Sequence, residues 1–330
     1  PEDGRCVCTG RHPMENGSEQ QCCALTGSGR LFRAARGTSG TCQEEEKMSK
    51  RTMKKYAPVF LLPTMIAFTI GFIAPFVLGV YLSFCEFTTV TDAKFVGLKN
   101  YIRFWNDPSD VFVHSLWYTA LFTLVTVLLI NVIGFAVALA LTKKIKGTNL
   151  FRTVFFMPNL IGGIVLGYIW QLLLNGIFAQ FGRSLKYSEW YGFLGLVILM
   201  CWQQIGYMMI IYIAGIQNVP GDLIEAAKID GATPRQILTK VTIPMVMPSI
   251  TICTFLTLTN SFKLYDQNLA LTDGDPSKMS ELLALNITNT FYGRTNWEGV
   301  GQAKAVIFFL LVACIALIQN RITRTKEVQQ

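Results

Sequence analysis

The sequence predicts an all-α membrane protein with six transmembrane helices, and three observations predict it. Charged residues make up only 15% of the 330-residue chain, where a soluble domain of ordinary composition carries about 25%. Hydrophobic residues make up 51%, and mean hydropathy is +0.39. The charges that do occur are grouped, leaving long intervals free of Asp, Glu, Lys and Arg.

Those intervals place the spans. None of the four charged types occurs between Lys55 and Glu86, Asp110 and Lys143, Arg152 and Arg183, Glu189 and Asp222, Lys240 and Lys263, or Lys304 and Arg321. A helix crossing the hydrocarbon needs about 20 apolar residues, and longer intervals are accommodated by tilt. The last interval holds 16 residues (305–320) and is expected to rely on Lys304 and Arg321 snorkelling at its two ends. Six buried core helices of a soluble protein are the competing reading, which the charge deficit disfavours.

Basic residues in short loops set orientation, since cytoplasmic loops are enriched in Lys and Arg. Lys50, Arg51, Lys54 and Lys55 precede the first span, and Lys143, Lys144, Lys146 and Arg152 occupy the second loop. Arg321, Arg324 and Lys326 follow the last span. The third loop has only Arg183 and Lys186, offset by Glu189, and the fifth carries Asp273, Asp275, Glu281 and Glu298. Both termini and the fourth loop are therefore expected in the cytoplasm, and the fifth loop outside.

Residues 1–47 fall outside this pattern. They hold five of the nine cysteines (Cys6, Cys8, Cys22, Cys23, Cys42) among Gly, Ser and Arg, with no apolar run able to act as a signal peptide. Only His12 accompanies them, so the spacing matches no familiar zinc pattern. They read as a disordered extension ahead of a natural start at Met48, with 48–58 a cytoplasmic segment, 59–320 the six-span domain and 321–330 a cytoplasmic tail. Cys85, Cys201, Cys253 and Cys314 lie in or beside spans and are expected to pack.

The fourth loop, 217–244, is the polar exception. Pro220 and Gly221 break the preceding span, and Asp222 reads as the N-cap of a short helix, with Glu225 three residues on completing a capping box. Leu223, Ile224 and Ala227 would share an apolar face while Lys228 and Asp230 meet water. Gly231 sits where a left-handed C-terminal residue is wanted. Thr233, Pro234 and Gln236 then open a second helix with cap, first-position proline and capping-box partner. Its stripe is Ile237, Leu238 and Val241, and Pro244 is expected to end it. Flanking spans and the lack of basic excess exclude a DNA-binding helix-turn-helix. What remains is a folded connection, or a knob that docks a cytoplasmic partner by helix-in-groove recognition.

Glu225-Ala226-Ala227, then Asp230-Gly231-Ala232, then Ile243-Pro244 resemble the EAA loop of binding-protein-dependent ABC importer permeases. The preceding "VPGDLIEAA" and the following Pro248 fit the same pattern. "FVGLKNYIRFW" after the first span, "LFRTVFFMP" before the third and "TNSFKLYDQNLALTDGDP" after the fifth are similar to the carbohydrate-uptake branch of the maltose/glycerol-phosphate type. The resemblance extends over residues 53–326. It departs at Asp273-Gly274-Asp275-Pro276, where the family has a Gly-rich run. The resemblance implies a MetI-like fold of the type I importer permeases. It also implies a second homologous permease, a cytoplasmic ATPase dimer that receives the EAA loop, and an external solute-binding protein. Glu225, Ala226, Ala227, Asp230, Gly231 and Ala232 would then carry ATPase coupling.

The chain itself offers no energy source. No glycine is followed by lysine, so no Walker A loop can form. Two histidines, His12 and His114, leave no plausible metal site or His-based triad. No catalytic residue and no cofactor is expected. Polar and aromatic residues inside spans are costly and often line a path. The candidates are Trp170, Gln171, Trp202, Gln203, Gln204, Tyr207, Asn260, Ser261 and Tyr265, a mixture that suits sugar faces and hydroxyls. Each could equally anchor at an interface or tie helices together. Gly163 and Gly167 read as close helix packing. Function is expected to be that of a sugar importer permease. The rivals are a permease for amino acids, peptides or phosphorylated polyols, a secondary transporter with charges in its spans and inverted repeats, and a membrane scaffold.

Overall fold

The computed structural model describes residues 61–143 and 147–324. The expectations for 1–47 and 48–58, and for the tail beyond 324, lie outside the described residues. The chain groups into two compact units that divide after Ala74. In the first, residues 61–74 are helical with exposed apolar side chains, include a π-helical stretch at Thr69–Ile73, and stack Phe68 on Phe72 at 5.2 Å.

Among the described residues, four uninterrupted helices are long and apolar enough to cross a membrane: α1 (Leu61–Leu82), α3 (Phe112–Leu141), α6 (Glu189–Gln217) and the final helix α12, apolar over Glu298–Arg321 and helical to Arg324. Between α1 and α3 lie a two-stranded hairpin, β1 (Cys85–Glu86) against β2 (Lys94–Phe95), and the short helix α2 (Lys99–Asn106). The remaining two expected spans exist but are bent. Helix α4 (Thr148–Phe156) runs through a 3-10 turn to Leu160 and meets α5 (Gly163–Ala179) at 100°. Helix α8 (Pro234–Met245) meets α9 (Met247–Phe262) at 68°. Between them α7 (Gly221–Ile229) forms the fourth loop. Helices α10 (Asp266–Leu271) and α11 (Leu283–Gly293) fold the fifth loop.

The bends have local causes. Ile161 and Gly162 are extended (ψ 131° and 141°) after Pro158, which freezes the end of α4 into a 3-10 turn. Gln203 Nε2 donates to the freed Ile161 carbonyl at 3.2 Å, as a non-helical backbone at membrane depth requires. Pro244, expected to end the second loop helix, does not do so. A π-helical stretch at Leu238–Thr242 shifts the hydrogen-bond ladder ahead of it, so the missing proline N–H is absorbed within a continuing helix. The break comes at Val246 (ψ 1°), between Pro244 and Pro248.

Helix α6 is the centre of the second unit: 61% of its apolar window is buried, against 28% for α3. Phe193 on α6 meets Tyr118 and Phe122 of α3 edge-on at 5.6 and 6.2 Å. Further along, Tyr212 Oη donates to Asn131 Oδ1 at 2.6 Å, so the two helices run parallel. Gly206 lets α4 lie directly on α6, since a Cβ there would collide with the Phe155 carbonyl. Thr126 and Ser261 share a 2.9 Å hydrogen bond that ties α9 to α3. Gly163 and Gly167 bring α5 against α10, where added Cβ atoms would strike Asp266 and Ala270, in keeping with the packing role expected for them.

One expectation about the last span is corrected. The helix begins at Glu298 and places Lys304 inside it; that side chain is wholly buried and does not snorkel. Its ammonium reaches Asp110 Oδ1 at 2.8 Å, Thr290 Oγ1 at 2.8 Å and Asn286 Oδ1 at 3.0 Å. Three buried partners from two other parts of the chain, Asp110 ahead of α3 and Asn286 and Thr290 on α11, hold it more firmly than the membrane surface would.

Candidate functional site

The fourth loop is built as two capped helices. Helix α7 ends in a Schellman motif: Gly231 has φ +77°, its N–H bonds Lys228 O at 3.1 Å, and Ala232 N–H bonds Ala227 O at 2.9 Å. Glycine reaches that left-handed conformation without a Cβ penalty. Thr233 then caps α8: its hydroxyl accepts from Gln236 N–H, while Gln236 Oε1 receives the Thr233 N–H at 2.7 Å. Two rigid caps one residue apart fix the angle between α7 and α8.

The start of α7 differs from the expected one. Pro220 (ψ 129°) is the N-cap, no side chain caps the first turn, and Asp222 lies inside the helix. Glu225 is therefore not a capping-box partner but an exposed carboxylate on the outer surface of α7. The helix starts two residues early because Pro220 already supplies the extended entry. The apolar face also differs. Ile224 packs against the main core and Ala227 is half-buried, whereas Leu223 is 44% exposed. Ile229, which the sequence reading passed over, is 86% exposed. Its signal was its place one turn beyond Glu225 on a helix whose inward positions were already filled. The loop thus presents Glu225, Ala226, Asp230 and Gly231 outward beside two bare aliphatic side chains, and Ala232 is half-buried.

The candidate path residues divide into two groups. Trp170 and Trp202 meet edge-on at 5.6 Å, with Trp202 44% exposed. Tyr207 lies 6.5 Å from the Phe156 ring. Gln204 is half-buried, with its Oε1 enclosed and no hydrogen-bond partner among the described residues. Asn260 and Tyr265 are half-buried, Tyr265 preceding α10. The other three are engaged in holding helices together. Gln171 Nε2 donates to Leu271 O at 3.0 Å, Gln203 Oε1 accepts from Gln267 Nε2 at 2.9 Å, and Ser261 is buried against Thr126.

Two polar residues of the fifth loop were missed. Gln267 completes the Gln203 pair. Asn268 is fully buried, donating to Ser280 O at 2.9 Å and accepting Leu282 N–H at 2.8 Å. Both sit within the short helix α10 that folds back between spans, where Asn268 satisfies backbone that no regular helix can and Gln267 braces the Gln203 amide.

Residues 130–327 match the family described as binding-protein-dependent transport system inner membrane component. The chain is 41% identical over 280 residues to the probable starch degradation products transport system permease protein AmyD of Thermoanaerobacterium thermosulfurigenes, spanning 82% of this chain and 94% of that protein. It is 29% identical over 291 residues to the multiple sugar-binding transport system permease protein MsmF of Streptococcus mutans, spanning 84% and 99%. Among solved structures, a bacterial ABC transporter involved in the import of the acidic polysaccharide alginate contains a chain that superposes with TM-score 0.70 at 18% identity. That superposition covers 84% of this chain and 99% of the other, and shows a shared fold. A six-span helical unit with two broken spans and a doubly capped loop, matched over most of its length, belongs to the family of inner membrane components of binding-protein-dependent transport systems.

Proposed function

We propose that this chain is the membrane permease subunit of an ATP-driven, binding-protein-dependent sugar importer. It is a transport subunit and not an enzyme; ATP hydrolysis belongs to a separate cytoplasmic ATPase dimer. A second homologous permease completes the path, and an external solute-binding protein delivers the carbohydrate. Both termini and the 217–244 loop lie in the cytoplasm, as the Lys and Arg distribution favours.

The observation that carries this reading is the construction of α7. A slack connection would not be closed by a Schellman motif and a capping box one residue apart, nor leave Ile229 bare on a rigid helix. A helix with apolar side chains outward is suited to a groove in a partner, and the two caps let it transmit motion without bending. Glu225 adds a charge at the rim of that contact. Within the membrane, the Trp170–Trp202 pair, Gln204, Tyr207, Asn260 and Tyr265 are proposed to meet the solute. None of them is charged, which favours a neutral sugar over a phosphorylated polyol or an ionic amino acid.

The test uses the transporter assembled with its ATPase and binding protein in vesicles. Ile229→Asp should lower ATPase affinity and ATP-dependent sugar uptake by about tenfold or more, equivalent to about 1.4 kcal/mol or more of docking energy. Membrane insertion should not change, because the side chain makes little contact within this chain. Unchanged uptake together with unchanged ATPase co-purification would refute the coupling role.

A further inference from the structure

Helix α2 has the opposite polarity to a helix on a water-facing surface. Asn100 and Phe104 are buried, while Leu98, just ahead of the helix, and Ile102 and Trp105 within it are 60%, 58% and 66% exposed. Their spacing of four and three residues puts them on one stripe. Its two basic residues are engaged with the protein: Lys99 pairs with Glu86 at 3.0 Å, a hydrogen bond that holds the Glu86 carboxyl below its ordinary value, and Arg103 donates to Asn296 O at 3.1 Å and lies 4.4 Å over the Trp297 ring.

The depth of α2 is fixed by its inward contacts. Asn100 Nδ2 donates to Ser83 O and Cys85 O, at 2.9 and 2.8 Å, just past the end of α1. Tyr101 Oη is hydrogen-bonded to Ser83 Oγ at 2.8 Å. Phe104 meets Phe112, the first residue of α3, at 4.9 Å. Arg103 reaches Asn296 and Trp297 immediately before α12. A helix about 12 Å long that touches the ends of three separate spans lies across them and not along them. That is the level where hydrocarbon gives way to headgroups, at the end of the bundle opposite residues 217–244. Phe104 and Phe112 place α2 against the start of α3, where Val113 and Trp117 are 45% and 72% exposed.

We propose that α2 is an interfacial anchor, seating Leu98, Ile102 and Trp105 in the lipid boundary and holding the mouths of α1, α3 and α12 at a fixed depth. Lipid is the occupant because the stripe sits at span ends, on a helix packed at the start of α3 where apolar side chains are exposed, and because tryptophan and aliphatic side chains are what membrane-surface helices seat in the lipid boundary. This inference rests on the membrane-spanning fold and is independent of which solute is carried.

The test is photo-crosslinking in the complete transporter in native membranes, with a benzophenone amino acid placed singly at positions 99, 102 and 105. The expected result is covalent phospholipid adducts at 102 and 105 several-fold above those at 99, which points toward Glu86. Adducts to the second permease or to the solute-binding protein at 102 and 105 would overturn it and assign the stripe to a protein interface. Lipid adducts no higher than at 99 would overturn it as well.

Discussion

Lys304 carries a charge to a place that solvent does not reach. Stripping water from an ammonium is costly, and attraction to a carboxylate offsets this only when the remaining protons also find acceptors. Here Asp110, Asn286 and Thr290 supply three acceptors at 2.8–3.0 Å, one for each ammonium proton. Asp110 in turn accepts the Phe112 N–H at 3.0 Å and has Arg294 at 4.0 Å. Removing one partner alone therefore strands a buried charge. Lys304→Met is expected to cost about 3–5 kcal/mol of stability, read as a lower unfolding temperature of the detergent-solubilised protein. Asp110→Asn combined with Lys304→Met removes both charges, keeps an acceptor for Phe112, and should recover most of that loss. If the double variant is as unstable as the single one, lost packing and not the stranded charge is the cause. The pair was invisible in sequence because its members are 194 residues apart, and Lys304 looked like the marker of a span boundary.

At the scale of elements, the sequence was most legible where local chemistry decides. Charge-free intervals gave all six crossings because hydrophobic length is a one-dimensional property. Gly231 and the Thr233–Gln236 box were readable because caps involve residues three or four apart. What was not legible depended on neighbours. The 100° and 68° bends need amides such as Gln203 to satisfy freed carbonyls, and Pro244 was absorbed by a π stretch that no residue type announces. The fates of Gln171, Gln203 and Ser261 were likewise settled by partners from distant segments. Asp222 was misplaced because Pro220 and Asp222 are both competent helix starters two positions apart. The cap at Gly231 yields a graded prediction. A Cβ there meets nothing within 4 Å, so Gly231→Ala adds only the left-handed backbone penalty, about 1–2 kcal/mol, and ATP-dependent uptake should be partly kept. Gly231→Pro fixes φ near −65° and removes the N–H bonded to Lys228, so α7 must point elsewhere. Uptake and ATPase co-purification should both collapse while the spans remain inserted. Equal uptake by the two variants would show that the direction of α7 does not matter for coupling.

At the scale of the whole molecule, the six crossings alternate between two ends, and chain contacts say which loops share an end. Tyr118 near the start of α3 donates to Glu189 O at the start of α6, at 3.2 Å, and His114 Nε2 lies 2.8 Å from Met279 O in the fifth loop. Lys186 of the third loop pairs with Asp275 of the fifth at 2.8 Å. The third and fifth loops therefore cluster together, at the α6 end opposite the fourth loop. The cytoplasmic placement proposed for the fourth loop rests on charge: cytoplasmic loops retain Lys and Arg, and in the opposite cluster Lys186 pairs with Asp275 and Arg294 with Asp107. Single cysteines at Arg235 and Lys278, both exposed, test this directly in intact cells with a membrane-impermeant maleimide. The cysteine at 278 should label at once and the cysteine at 235 only after the membrane is permeabilised. The signal should be read against the unsubstituted chain, because Cys314 is itself exposed. Labelling of 235 from outside would invert the protein. It would also place α7 on the face away from ATP, removing the docking role of Glu225 and Ile229 while leaving the fold and the lipid anchor as they are.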